Sequence, residues 1–180
     1  IDKIVVNVHA FADKVEEWLK AYSLQNPSLK ICVSDERDLL LETGGGLKKM
    51  KPLLGENNQR DADEPFLVHN VDILSDVNLK MLFKEDAAFS MKGSGENFPV
   101  TGEFNKSQSG FKQTKHLATL AVRITESDRY FLFNQDGILC GWENVKTGEQ
   151  KISRPDETNL RRFGFTGIHV IHPLLFDLMT

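Results

Sequence analysis

The first 85 residues alternate between short apolar runs and a longer segment in which apolar residues recur every three or four positions. The runs Lys3–Val8, Lys30–Ser34 and Pro65–Asn70 are short and rich in β-branched residues, which is typical of buried strands. Between the first two runs, apolar residues with helical spacing predict an amphipathic helix: Phe11, Val15, Trp18, Leu19 and Tyr22. Strands that alternate with helices predict an α/β fold with a parallel sheet and right-handed crossovers.

The pattern changes after residue 85, where glycine, proline and serine interrupt a polar stretch that has little periodicity. A structureless connection of this length is unusual inside a compact domain, so the sequence predicts an irregular insertion at about 86–115. Apolar strands resume at Leu117–Ile124 and Tyr130–Phe133. A turn then leads to Ile138–Trp142, which predicts a β-hairpin.

The end of the chain predicts one more strand and a short helix. Phe165–Ile171 is apolar and precedes Pro173, which is well placed to open a helix over Leu174–Met179. The chain contains no internal repeat and no composition shift that would mark a second domain. We therefore expect a single domain over residues 1–180.

Composition and charge restrict the functional classes. The chain has 180 residues, 40% of them hydrophobic, and a net charge of −4. These are ordinary values for a globular protein, whereas nucleic-acid binding needs a basic face. No apolar run approaches the roughly 18 residues of a membrane helix, and no leader indicates secretion. Cys32 and Cys140 lack metal-site spacing, which favours reduced thiols in a cytoplasmic protein.

The segment Glu42-Thr43-Gly44-Gly45-Gly46 is the first candidate site, because it places three glycines where an apolar run turns into a helix. One interpretation is a loose turn whose amides face water. The other is a cradle for an anion or a base, since glycine lets backbone N–H groups approach a ligand closely. The segment matches neither GxGxxG nor the P-loop pattern.

The second candidate is the end of the third strand, where Asn70 and Asp72 place an amide and a carboxylate two residues apart. This spacing predicts that both side chains point to the same side. Such a carboxylate caps a turn in many proteins. It is also the type of ligand that Mg²⁺ takes when substrate phosphates and water complete its coordination.

Weaker candidates have equally good structural interpretations. The charged cluster Asp35–Asp38 is more typical of a solvated turn than of a catalytic group. We expect His69, next to Asn70 in a strand, to face the opposite way and pack. Thr166 and Gly167 either let a ligand approach the backbone of a late strand or form a β-bulge.

Several blocks of the chain, in matching order, resemble the bacterial sugar-1-phosphate nucleotidyltransferases. The blocks are Ile4–His9, Asp35–Gly46, Phe66–Asp72, Ala118–Arg123, Leu139–Trp142 and Phe165–His169. The resemblance implies a Rossmann-like, GT-A-like nucleotidyltransferase fold with three layers around a mainly parallel sheet. It also implies an enzyme of nucleotide-sugar biosynthesis that forms an NDP-sugar and pyrophosphate from UTP or GTP and a sugar 1-phosphate, with Mg²⁺ as cofactor.

The resemblance also implies roles for individual residues. One segment of the family lies along the base and the ribose, and its counterparts here are Glu42, Thr43, Gly44 and Gly45. Asp72 matches the metal-binding aspartate, with Asn70 near the sugar. Thr166 and Gly167 match a late strand that borders the sugar pocket.

The resemblance is incomplete at both ends. The family begins with a Gly-x-Gly-Thr-Arg loop around the NTP phosphates, and its second metal-binding aspartate follows a final helix. Neither has a counterpart here, so we expect a partial nucleotidyltransferase domain. The alternative is a non-catalytic nucleotide- or sugar-binding member of the same fold that lacks the phosphate loop. Strand edges left unpaired would also favour a homo-oligomer.

Overall fold

The computed structural model describes residues 1–55, 64–84, 97–103 and 116–179. The chain divides into two compact units. The first unit comprises Ile1–Glu64 with Phe176–Thr180, and the second comprises Pro65–Leu175. The single domain expected over residues 1–180 stays a prediction.

The first unit is built on two parallel strands. Strand β1 is Lys3–Val8 and strand β2 is Lys30–Asp35, with Val5 opposite Cys32. Helix α1, Ala12–Gln25, connects them and buries Ala12 and Leu19. Helix α2, Glu42–Leu54, follows β2. The sequence therefore predicted the strand–helix–strand–helix order of this unit correctly.

The second unit contains a sheet of seven strands in the order β4-β5-β9-β6-β7-β8, with β3 paired to β9. The strands are β3 Phe66–His69, β4 Asn97–Glu103, β5 His116–Arg123, β6 Arg129–Phe133, β7 Leu139–Asn144, β8 Gln150–Ile152 and β9 Arg161–Ile171; helix α3 is Leu79–Lys84. Strand β9 has 11 residues and pairs with β3, β5 and β6, so it connects the two halves of the sheet.

The mixed α/β class is confirmed, but a mainly parallel sheet is not. Among the described strands, β1 and β2 form the parallel pair, and all pairings of the second unit are antiparallel. The short connections between β6, β7 and β8 make hairpins, and hairpins join antiparallel neighbours. Strand β3 pairs with β9 instead of with a strand of the first unit.

The predicted insertion at about 86–115 contains a strand. Residues 97–103 form β4 and pair with β5, although their sequence predicted irregular structure. Pro99 is compatible with this placement because β4 lies at the end of the strand order, where a missing backbone N–H is tolerated. Residues 86–96 and 104–115 of the predicted insertion lie outside the described residues.

The sheet of the second unit has apolar residues on both faces. Leu120 and Val122 of β5 pack with Phe133 and Phe163. Ala121 lies between them in sequence and packs on the opposite face, in a cluster formed by Leu82, Ala121, Ile168 and Val170. Because Leu82 belongs to α3, this helix covers the second face.

His169 is a buried titratable group in this sheet. It lies in β9 with its ring centroid 5.3 Å from that of Phe165. Among the described residues, its Nδ1 atom has no hydrogen-bond partner. Burial lowers the pKa of His169 from 6.5 to about 4, because desolvation disfavours the imidazolium.

We expect acid to destabilise the protein through His169. Its folded pKa of about 4 is below the unfolded value of 6.5, so the unfolded chain binds the proton first as the pH falls. Stability is therefore complete above pH 6.5 and decreases by about 2 kcal/mol between pH 7 and pH 5. Denaturant unfolding at both pH values measures this loss, and His169→Leu should reduce the difference between them. An equal loss in the variant would contradict the assignment.

Candidate active site

The candidate residues fall into two groups, one in each unit. Glu42–Gly45 belong to the first unit, at the beginning of α2. Asn70, Asp72, Thr166 and Gly167 belong to the second unit.

The glycine segment is helical, whereas the sequence predicted a turn before the helix. Helix α2 begins at Glu42, so Gly44, Gly45 and Gly46 lie in its first turns. Glu42 has a φ of 57°, which marks the change of chain direction. Glycine disfavours a helix by about 1 kcal/mol relative to alanine. Packing overrides this preference, because α2 buries Gly46 and Leu47.

The beginning of α2 offers backbone donors. The first N–H groups of a helix have no carbonyl partner within it, and here they belong to Glu42, Thr43 and Gly44. The N-cap residue Leu41 makes no capping hydrogen bond through its side chain. Glu42, Thr43 and Gly44 are exposed. With the helix dipole, these donors suit a phosphate oxygen or an acceptor atom of a base.

Glu36 belongs to the charged cluster that the sequence predicted as a solvated turn, and its burial was not predicted. Asp35 and Asp38 are exposed, as expected, but Glu36 is only 4% exposed. Its Oε2 atom accepts a hydrogen bond from the N–H of Leu41 at 3.4 Å. Its Oε1 atom has no partner within the described part of the chain. The period-2 pattern of β2 contained the signal, because Glu36 is two residues after the buried Ser34.

Asn7 and His9 complete the surroundings of Glu36. An ideal Cβ atom on Gly46 would lie 2.6 Å from both Asn7 Nδ2 and Glu36 Oε1. His9 Nδ1 donates a hydrogen bond to the carbonyl oxygen of Glu36 at 2.7 Å. The ends of β1 and β2 therefore meet the first turns of α2, at the carboxyl edge of a parallel strand pair, where α/β proteins bind ligands.

In the second unit, the structure brings Asn70 and Gly167 together. The N–H of Asn70 donates to the carbonyl oxygen of Gly167 at 2.9 Å. Gly167 has a φ of +80°, and a Cβ atom there would lie 3.1 Å from Asn70 Nδ2 and 3.0 Å from Ile73 Cγ1. The register of β5 and β9 also shifts nearby, between Leu120 and Val122. Gly167 therefore lies at an irregular part of β9, where Asn70 packs closely against it.

Thr166 uses its hydroxyl group within the sheet. Its Oγ1 atom donates a hydrogen bond to the carbonyl oxygen of Ala121 at 2.7 Å. The side chain of Thr166 is half-buried. This contact gives Thr166 a structural role in joining β9 to β5; its role at the sugar pocket stays a prediction.

Asp72 is exposed and lies in a turn after β3. Strand β3 ends at His69, so alternation along a strand does not determine where Asn70 and Asp72 point, and their common direction stays a prediction. Within the described residues, the Asp72 carboxylate has neither a hydrogen-bond nor an ion-pair partner. The same residues contain no group of three or more His, Cys, Asp and Glu side chains placed to hold a metal ion. A single free carboxylate still fits Mg²⁺ that also binds water and substrate phosphates.

His69 is exposed, although we expected it to pack. Its Nδ1 atom lies 2.7 Å from the carbonyl oxygen of Asn70. That oxygen also accepts the N–H of Ile73 at 3.1 Å. The two hydrogen bonds stabilise the turn that carries Asp72.

Comparison with known proteins adds independent evidence. The chain is 44% identical over 72 residues to an N-acetylmuramate alpha-1-phosphate uridylyltransferase of Caulobacter vibrioides. The predicted resemblance to sugar-1-phosphate nucleotidyltransferases is confirmed. The matched segment covers 40% of this chain and 27% of the relative. No protein-family model matches the chain.

Two further observations concern the length of the helices and the state of the cysteines. In the described part of the chain, every helix is too short or too polar to cross a bilayer. The two cysteines are free thiols, with Cys140 buried and Cys32 half-buried. Burial raises the pKa of Cys140 above 9.0, which keeps this thiol protonated and unreactive.

Proposed function

We propose that the complete polypeptide containing this chain is a sugar-1-phosphate nucleotidyltransferase. It would form an NDP-sugar and pyrophosphate from UTP or GTP and a sugar 1-phosphate, as a cytoplasmic enzyme that supplies a precursor of the cell wall or of a polysaccharide. The observation that carries the proposal is the 44% identity to a uridylyltransferase. The exposed backbone donors in the first turn of α2 and the exposed carboxylate of Asp72 support it.

The first unit would bind the nucleotide through Glu42, Thr43, Gly44 and Gly45. The glycine at position 44 supports a role in nucleotide binding, because the packing among the described residues does not require a glycine there. A Cβ atom there would meet Met179 Cε at 3.9 Å, an ordinary van der Waals distance. A glycine that weakens its helix without a packing reason fits a close approach of ligand to backbone.

The second unit would bind the divalent cation and the sugar phosphate. Asp72 would hold Mg²⁺, which when bound neutralises charge on the phosphates. Asn70 and the strand segment Thr166–Gly167 would border the sugar. A phosphate monoester is already a competent nucleophile at neutral pH, so the protein need not supply a base. The contribution of these residues is to align the reacting groups and stabilise charge.

A non-catalytic nucleotide- or sugar-binding protein is the second candidate. Such a protein would bind UTP, GTP or a sugar 1-phosphate without releasing pyrophosphate. A homo-oligomer is compatible with either function.

A pyrophosphate-release screen tests the proposal. The complete polypeptide is incubated with each of the four NTPs, a panel of sugar 1-phosphates and Mg²⁺. We expect release with UTP or GTP and one sugar 1-phosphate, and none when either substrate or the metal ion is omitted. Nucleotide binding by calorimetry without release in any combination would support the non-catalytic candidate instead.

A further inference from the structure

The turn after β3 leaves one imidazole nitrogen unused. A carbonyl oxygen only accepts hydrogen bonds, so the contact of 2.7 Å between His69 Nδ1 and the Asn70 oxygen requires the proton on Nδ1. In the imidazole tautomer with this proton, the lone pair lies on Nε2. Because the ring is exposed, this acceptor is open to a ligand.

The turn itself is fixed through its backbone. The N–H of Asn70 donates to Gly167, and the N–H of Ile73 donates to Asn70, at 2.9 and 3.1 Å. Neither contact uses the Asp72 carboxylate or His69 Nε2. One short segment, hydrogen-bonded to β9, therefore presents a carboxylate and an imidazole nitrogen that both lack a partner among the described residues.

We propose that His69 is a specificity-determining residue of the sugar site. Its Nε2 atom accepts a hydrogen bond from a hydroxyl group of the sugar 1-phosphate whose phosphate lies near Asp72. A sugar is rich in hydroxyl donors, whereas the oxygens of an ionised phosphate only accept, so an acceptor on this turn selects for the sugar. The inference rests on the proposed nucleotidyltransferase function and adds to it a residue that reads the sugar.

Two substitutions of His69 distinguish the roles of its two ring nitrogens. The amide nitrogen of asparagine occupies about the place of Nδ1, so His69→Asn keeps a donor for the Asn70 oxygen and loses the outer acceptor. The amide of glutamine extends to about the place of Nε2, so His69→Gln restores an acceptor there. Leu74→Ala is the matched control in the same loop, because Leu74 is fully exposed at 100%.

The test measures steady-state kinetics of the complete polypeptide with its best substrate pair. For His69→Asn we expect the KM for the sugar 1-phosphate to rise about tenfold, the effect of one lost hydrogen bond. The KM for the NTP and kcat should stay within about twofold of wild type. His69→Gln should recover most of the loss, and Leu74→Ala should match wild type.

Deoxy analogues of the sugar 1-phosphate identify the hydroxyl group. The analogue that lacks the recognised hydroxyl should react equally well with wild type and His69→Asn. An unchanged KM for the sugar in His69→Asn would overturn the inference while leaving the proposed function intact. Equal shifts in both KM values with a lowered melting temperature, not rescued by glutamine, would show a structural role and also overturn it. A wild-type protein without pyrophosphate release would refute the proposed function, and the inference with it.

Discussion

Asp72→Asn is expected to lower the rate of pyrophosphate release at least about 100-fold. The substitution removes the negative charge that would hold the divalent cation, and a metal ion contributes several kcal/mol to charge stabilisation in such reactions. The melting temperature should not change, because Asp72 is exposed and its carboxylate has no partner among the described residues. Initial rates at saturating UTP or GTP and sugar 1-phosphate, with a thermal melt of each protein, give both results.

Asp76→Asn is the matched control for Asp72→Asn. Asp76 is also an exposed aspartate of the loop after β3, and the substitution changes the net charge of the protein by the same amount. We expect wild-type rates for Asp76→Asn. If Asp72→Asn keeps more than half of the wild-type rate, or if both variants lose activity equally, the proposed metal role of Asp72 is wrong.

Local sequence pattern was sufficient for β1 and α1 of the first unit. The run of β-branched residues gave β1 its bounds, Lys3–Val8, and the helical spacing of apolar residues predicted α1. Neighbouring elements of this unit follow one another along the chain. Period and propensity therefore contain the information that determines them.

Sequence pattern was not sufficient for the sheet of the second unit. The apolar run of β3 predicted a strand, but its partner β9 lies about 100 residues further along the chain, where Phe66 faces Ile171. A strand pattern predicts that a segment is extended, but it does not predict which strand of the sheet the segment pairs with. The alternation of strands and helices favoured a parallel partner, and long-range pairing with β9 produced an antiparallel one.

In the candidate site, too, some contacts were predicted from the sequence and others were not. The resemblance predicted that Asn70 and Gly167 border one pocket, and the structure places Asn70 Nδ2 3.1 Å from the Cβ position of Gly167. The sequence did not predict that Glu36 is buried, because a glutamate between charged neighbours is typical of a solvated turn. Glu36 is buried since it continues the inward-facing side of β2, and its environment depends on Asn7 and Gly46 from other elements.

Gly46→Ala is expected to destabilise the protein by about 2 kcal/mol. A Cβ atom on Gly46 would lie 2.6 Å from Asn7 Nδ2 and from Glu36 Oε1, so it would displace a buried carboxylate and its neighbour. Overpacking costs about 1–3 kcal/mol, and we expect the upper end because Glu36 is buried. The gain of about 1 kcal/mol in helix propensity offsets part of this cost. Denaturant unfolding measures the difference from wild type.

Gly44→Ala separates the structural glycine from the ligand-binding one in the same helix. Among the described residues, its Cβ atom has only Met179 Cε within 4 Å, at 3.9 Å, so we expect a gain of about 1 kcal/mol in stability. If the nucleotide approaches the backbone here, the same methyl group raises the KM for the NTP at least about fivefold. A more stable variant with a weaker nucleotide interaction would show that Gly44 serves binding, whereas wild-type kinetics would remove Gly44 from the site.

The same unfolding assay tests Gly46→Ala. A Gly46→Ala protein as stable as wild type would contradict the packing of α2 against Glu36.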